Sequence, residues 1–245
     1  MKKPELSVVV PCYNEEPSIL ALAEKFAVHG AGTPFELILV DNGSADNTGK
    51  AIEHAAEKYG FVHKEALRMN KGYGNGIKAG LAKAGGEFIC WTHADLQADP
   101  ADIFRAYRMA KDAGSKYIFI KGKRTGRGMA DALFTGGMSV FCSIALGKIL
   151  TDINAQPSLF HSWFLTELAD APDDFSFDLF AFYKAKEKGL EVVRFPVLFL
   201  PRRHGKSSWN MGIGARMKFI KRVIDFTLSL RKKVNGHDKS DAPHQ

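Results

Sequence analysis

Cysteine is scarce in this chain: three in 245 residues, Cys12, Cys90 and Cys142, with no metal-ligand spacing and two of them inside apolar runs. That excludes a disulfide scaffold or a zinc ribbon and predicts reduced, buried thiols in a cytoplasmic protein. No apolar run reaches the roughly 18 residues of a membrane span, and the stretch after Lys2 and Lys3 is too short for a signal-peptide core. The expectation is a chain not integral to a membrane. No internal repeat is visible, so a solenoid or propeller is excluded. Basic residues are not interleaved with aromatics in any recognised module, which excludes a nucleic-acid partner.

What is present is ordinary for a globular protein: 45% apolar and 25% charged residues, enough chain for one sizeable α/β domain. The net charge is +7, and residues 212–245 hold eight Lys or Arg against three Asp, so +5 of it sits in that segment. A basic excess so placed suits anionic lipid or a phosphorylated ligand.

Apolar runs at 6–10, 35–40, 61–63 and 87–91 read as strands, each followed by a helical pattern: 17–29, 46–58, 73–83 and 100–113. Strand and helix alternating in this way predict a mostly parallel central sheet with helices on both faces. Ligands then bind beyond the carboxyl ends of the strands. Further on, the pattern gives a strand at 117–120, a basic loop at 121–128, an apolar helix from 130 to 150 divided at Gly136-Gly137, a helix at 177–188 and a strand at 191–196. The expected division is a domain over 1–211, a basic amphipathic helix over 212–233 and a disordered tail over 234–245.

Three polar loops fall at strand ends. His93-Ala94-Asp95-Leu96-Gln97 follows the fourth strand, and a carboxylate with a carboxamide two residues on suits Mg²⁺ or Mn²⁺, hard cations that keep open positions for substrate phosphates. Such a run can equally do no more than cap the helix that begins near Pro100. Pro11-Cys12-Tyr13-Asn14-Glu15 offers a ring to stack on a nucleobase and a carboxylate to accept from a base N–H; an ordinary polar loop would look the same. Asp41 ends the second strand, suited to a ribose hydroxyl or a base N–H, while Asp46 and Thr48 read as helix caps. The glycine-rich run Asn70-Lys71-Gly72-Tyr73-Gly74-Asn75-Gly76 lacks dinucleotide-binding spacing. It predicts close backbone approach around a donor at Gly72, with Lys71 either a phosphate contact or solvated.

The ordered set Pro-x-Tyr-Asn-Glu, Val-Asp-x-Gly-Ser-x-Asp-x-Thr, Asn-x-Gly-Tyr-Gly and Asp-Leu-Gln-x-x-Pro resembles the inverting family 2 glycosyltransferases of GT-A fold, most of all their dolichyl- and polyprenyl-phosphate sugar synthases. The resemblance implies one GT-A, Rossmann-like domain and transfer from a UDP- or GDP-linked sugar to a lipid phosphate. It implies nucleotide contacts from Pro11, Tyr13, Glu15 and Asp41, and metal contacts from Asp95 and Gln97. Where those relatives have Asp-Ala-Asp, this chain has His93-Ala94-Asp95; imidazole suits Mn²⁺ better than Mg²⁺ and brings no negative charge.

Gly122-Lys123-Arg124 and Arg202-Arg203-His204-Gly205-Lys206-Ser207 resemble the family's basic elements, which implies that Arg124 and Arg202 clamp phosphate. Residues 152–158 fall where relatives form an acceptor-facing loop. Asp178 falls where many carry a carboxylate: a general base if the acceptor is a hydroxyl, unneeded as a base if it is already an anionic phosphate, or else a helix-surface residue. Over 216–233 the apolar residues fall within an arc of roughly 200°, so this helix either packs on the protein or lies at a membrane interface. Two alternatives stay open: transfer to a polysaccharide hydroxyl, and non-catalytic binding of a nucleotide sugar.

Overall fold

The computed structural model describes residues 3–126, 128–200 and 213–240. By contacts it divides into two units, 1–127 with 154–205, and 128–153 with 206–245. The first contains the sheet. Its strands are β1 (Leu6–Cys12), β2 (Phe35–Asn42), β3 (Val62–Leu67), β4 (Phe88–Trp91), β5 (Ile118–Thr125), β6 (Ser158–His161) and β7 (Glu191–Leu198), in the order β3-β2-β1-β4-β6-β5-β7. Its helices are α1 (Glu16–His29), α2 (Thr48–Lys58), α3 (Tyr73–Leu81), α4 (Pro100–Ala113) and, later in the chain, α6 (Phe177–Glu187). All neighbours pair in parallel except β6, which runs antiparallel to both β4 and β5. The mostly parallel α/β sheet is therefore as expected, with one inserted strand that no periodicity announced.

β1 is central, and Leu6, Val8, Val9 and Val10 are wholly buried, as a strand covered on both faces must be. It does not stop at Pro11. β4 pairs with it only as far as Val9, so beyond that point β1 has β2 alone as neighbour and a residue without an N–H is tolerated. β5 is also longer than expected: Lys121–Thr125 continues the strand, paired with Arg194–Leu198 of β7. Arg124 is thus a strand residue.

One layer of the core packs Phe26, Phe35 and Phe104 edge to face and tilted, at centroid separations of 5.2–6.1 Å. The other layer gathers Trp91, Phe119, Phe160, Phe164, Phe177 and Phe182, every one below 3% exposed. α6 lies in that second layer, buried on all sides from Phe177 to Tyr183.

The second unit contains α5 (Met129–Leu146) and α7 (Ile213–Ser240), which pack on one another. α5 is continuous through Gly136-Gly137, contrary to the expected division, and residues 128–153 group with the C-terminal helix instead of with the sheet. α7 runs past the expected end at 233 to Ser240; residues 241–245 lie outside the described residues. Val223, Thr227 and Leu230 of α7 are buried, and Thr227 Oγ1 lies 3.6 Å from Cys142 Sγ of α5. Among the described residues no helix is long and apolar enough to cross a membrane.

Candidate active site

The parallel register sets the carboxyl ends of β2, β1 and β4 side by side, with Cys12 opposite Asp41 and Val9 opposite Trp91. The loops after them are laced together. Asn14 N donates to Ser44 Oγ (3.1 Å), Ala45 N to Asn14 Oδ1 (2.8 Å) and Glu15 N to Thr48 Oγ1 (2.9 Å), while Thr48 Oγ1 donates to Asp46 Oδ1 (2.5 Å). Asp46 and Thr48 therefore join the first loop to the second as well as starting α2. Tyr13 stands 47% exposed on this platform, while Glu15 is buried and accepts from Ser18 Oγ. Asp41 Oδ1 accepts from Ser44 N at 3.0 Å. Burial, followed by the charges of Glu15 and Asp41, pushes the Cys12 thiol well above its ordinary value. Pro11 packs beside Gly76, where a Cβ would come within 3.0 Å of the Pro11 Cβ.

The helix-cap alternative for Asp95 fails. The cap of α4 is Asp99, whose Oδ1 accepts from Ala101 N at 2.9 Å just before Pro100 at the first helical position. Asp95 is instead 8% exposed, and its Oδ1 accepts from Gln97 N at 3.2 Å across Leu96, which has φ +57°. Leucine in the left-handed region is strained, and such outliers gather at functional turns. The Leu96 side chain is buried in the core, which holds the turn in place. Gln97 Nε2 donates to Leu200 O and Leu200 N donates to Gln97 O, both at 2.9 Å. Its amide oxygen is the end with ligand chemistry. The same extended segment carries Phe199, over whose ring the Arg124 guanidinium sits at 5.5 Å, so Arg124 and Gln97 are brought to one place.

His93 is packed against the ring of Tyr73 (5.2 Å), whose other neighbour is Phe175, stacked at 4.9 Å and 10°. Burial, then the charges of Asp178 and Asp95 and a hydrogen bond to Asp178, raise the Tyr73 hydroxyl well above its ordinary value. Tyr73 thus joins the His93–Asp95 loop to Asp178. Asp178 is 1% exposed in the buried helix α6, not a helix-surface residue; its Oδ1 accepts from Trp91 Nε1 and from Gln156 Nε2, both at 2.9 Å. Gln156 Nε2 also reaches Tyr73 Oη at 3.2 Å.

The glycine-rich run has a role different from the one expected of it. A Cβ at Gly72 (φ +129°) would lie 2.3 Å from Asp173 O, and one at Gly74 would lie 2.2 Å from Pro172 O. Asn75 N donates to Asp173 O at 2.8 Å, and Lys78 Nζ bonds Ala171 O (3.0 Å) and Asp173 Oδ1 (2.6 Å). The backbone that approaches these glycines is the protein's own 171–174 segment, and it leads into Phe175 and Asp178. Lys71 is exposed. Arg202, with Arg203 to Ser208, lies outside the described residues.

Trp91 escaped the motif reading, while Tyr73, inside the Asn-x-Gly-Tyr-Gly motif, and Gln156, inside the 152–158 loop, were given no role of their own. Each is an unremarkable residue in its segment, and only the fold sets them around one carboxyl. Among the described residues no group of three or more His, Cys, Asp or Glu is placed to share a metal ion. One buried carboxylate with a carboxamide two residues on nonetheless fits Mg²⁺ or Mn²⁺ that takes its remaining ligands from water and phosphate. Asp95 and Gln97 would hold it, with His93 adjoining.

A doubly wound sheet with laced loops at its strand ends defines a protein of the open α/β class, in which ligands bind at that edge. The chain belongs to glycosyl transferase family 2, whose model matches residues 7–135. It is 38% identical over 112 residues to an undecaprenyl-phosphate 4-deoxy-4-formamido-L-arabinose transferase of Serratia proteamaculans, over 44% of this chain and 34% of that protein. A relative of the same name from Klebsiella pneumoniae is 25% identical over 234 residues, covering 92% of this chain and 67% of its own length. The chain thus spans about a third of the first of these relatives and two thirds of the second. Among solved structures, glucosyl-3-phosphoglycerate synthase of Mycobacterium tuberculosis, in complex with Mn²⁺, UDP and glucosyl-3-phosphoglycerate, superposes with a TM-score of 0.69 at 18% identity, over 94% of this chain and 80% of that one. S. aureus TarS 1–349 gives 0.59 at 20% identity, over 80% and 60%. These likenesses show the fold, which is GT-A.

Proposed function

We propose that this protein transfers a sugar, with inversion, from a nucleoside-diphosphate sugar to the phosphate of a polyprenyl lipid. The observation that carries the reading is Asp95: a buried carboxylate on a strained turn at the end of β4, released from helix capping by Asp99 and set on the same rim as Tyr13, Glu15 and Asp41. Tyr13 stacks on the base, and Glu15 and Asp41 accept from the nucleoside. A divalent cation bound at Asp95 and Gln97 supplies charge to offset that developing on the diphosphate. Arg124 and Arg202 counter phosphate charge through fixed guanidinium donors, and Lys71 adds a cation near Gly72. An acceptor phosphate oxygen forms the new bond to the anomeric carbon as the bond to the diphosphate breaks, and the nucleoside diphosphate departs with the electron pair. The relatives named for undecaprenyl phosphate support the acceptor, and the neighbour holding UDP supports a uridine donor over a guanosine one.

Incubation with labelled UDP- or GDP-sugars, undecaprenyl phosphate and Mn²⁺ or Mg²⁺, followed by solvent extraction, is expected to put label in the organic phase. Asp95→Ala is expected to lower turnover at least about a hundredfold, near 2.7 kcal/mol of transition-state stabilisation. Unchanged turnover in that variant ends the metal assignment. Label only in water-soluble glycan would support a second reading, transfer to a hydroxyl, which one feature favours: Asp178 is joined through Tyr73 to the His93–Asp95 loop. There Asp178 would act as general base. Contact with anionic membrane through residues 216–233 completes the proposal.

A further inference from the structure

We infer that the exposed face of α5 is a lipid-contacting surface that lies in the interface of an anionic bilayer. The inference rests on the membrane contact proposed for residues 216–233 and adds to it an apolar face on another helix; it does not rest on the transfer chemistry. From Ala132 to Gly147 the chain has no charged side chain and no histidine. A helix apolar all round is ordinarily buried all round. α5 is not: Leu133 is 79% exposed, Val140 58% and Ile144 78%. At about 100° and 1.5 Å per residue these three fall within about 40° of one another, in a stripe about 16 Å long.

The helix is turned inside out. Cys142 lies about 180° round from Leu133, and α7 packs on that side, with Thr227 Oγ1 3.6 Å from Cys142 Sγ. Ser139, on the same side, is buried, and so is Thr227, whose Oγ1 donates to Val223 O at 2.7 Å. Small polar groups thus meet between the helices while aliphatic side chains face out, the reverse of what water selects and the arrangement that suits hydrocarbon. Charge decides what covers the stripe. Between 217 and 233 α7 has six Lys or Arg against one Asp, and Lys218, Lys221 and Lys232 are exposed. A second copy of this chain would bring more positive charge to a unit already basic, whereas anionic headgroups complement it. No described helix is long and apolar enough to span a bilayer, so α5 lies at its surface. The lysines bring the unit to the lipid and the stripe contacts it there, so salt lowers the fraction bound without changing the surroundings of the stripe in what remains bound.

The test places an environment-sensitive fluorophore at Ile144→Cys, the three native cysteines being buried, and at exposed Glu57→Cys of α2 as control. Vesicles of phosphatidylcholine and phosphatidylglycerol are added, with and without doxyl-labelled lipid. Emission from the Ile144 label is expected to move to the blue and to be quenched by the doxyl lipid, while the Glu57 label does neither. The triple variant Leu133→Gln, Val140→Gln, Ile144→Gln is expected to weaken binding to these vesicles at least about tenfold. Its urea midpoint should match the wild type, since the three side chains are exposed; should it fold poorly, the labelled single variant decides. An Ile144 label that stays in water on vesicle-bound protein, absence of vesicle binding, or a folded triple variant that binds as the wild type does overturns the assignment. A label that shifts without vesicles as protein concentration rises gives the face to a second copy and overturns it too. If the wild type transfers no sugar, the transfer reading fails and the vesicle measurements still decide; if it transfers sugar to undecaprenyl phosphate in detergent but the Ile144 label never meets lipid, the α5 assignment alone fails.

Discussion

Asp95 and Asp99 are four residues apart, and their environments divide two roles that the sequence offered to one. Asp99 caps α4 and pairs with Lys25, which leaves Asp95 buried on the Leu96 turn with no structural duty at the helix. The same discrimination applies to Gly72 and Gly74, whose run suggested close approach to a ligand but whose missing Cβ atoms make room for the carbonyls of Asp173 and Pro172. Gly74→Ala is expected to destabilise by about 1–3 kcal/mol, the usual cost of overpacking, as measured by urea unfolding. It should also weaken activity beyond that loss, because the 171–174 segment carries Phe175 and Asp178. Stability equal to wild type would mean that the two segments part freely.

At the level of elements, α4 is the best-specified helix: Asp99 as N-cap, Pro100 behind it, and Gly114 in the left-handed conformation at its end. Burial raises the Asp99 carboxyl, but the Lys25 hydrogen bond, the Ala101 N–H and the charges of Lys25 and His29 outweigh it and leave the group below its ordinary value. A depressed carboxyl contributes stability above its unfolded value, about 3.9, and loses it as pH falls through the lower folded value. Asp99→Ala is therefore expected to cost about 1 kcal/mol at neutral pH through the lost cap. The gap from wild type should narrow in urea titrations carried below about pH 4. A gap that widens in acid would contradict the sign. α6 shows the opposite case: from Phe177 to Tyr183 it is buried on all sides and has no amphipathic stripe, so Asp178 could not be told from a surface residue by pattern.

For the whole molecule, the C-terminal unit changes what membrane contact can mean. Part of the apolar arc of α7 is used against α5, since Val223, Thr227 and Leu230 are buried, while Lys218, Lys221 and Lys232 are exposed. Attraction to anionic lipid through this helix is then mainly electrostatic. Binding to vesicles rich in anionic lipid is expected to fall steeply with salt, and Lys218→Gln, Lys221→Gln and Lys232→Gln together should weaken it on the order of a hundredfold, at about 1 kcal/mol per lysine. Salt-insensitive binding would point instead to insertion of exposed apolar residues such as Leu133 and Ile144 of α5.

The alternation of apolar runs with helical patterns determined the parallel sheet and the loops at its carboxyl edge, because buried strands and amphipathic helices are local signals with fixed periods. It also determined the family, through four short motifs in order. Tertiary structure alone decided which aspartate caps α4, that β6 enters antiparallel, that 128–153 leaves the sheet, and that Trp91, Gln156 and Tyr73 gather about Asp178. Those outcomes depend on contacts between residues up to 87 positions apart. Such contacts leave no period in the chain, because their energy lies in burial and hydrogen bonding that exist only once the layers have packed.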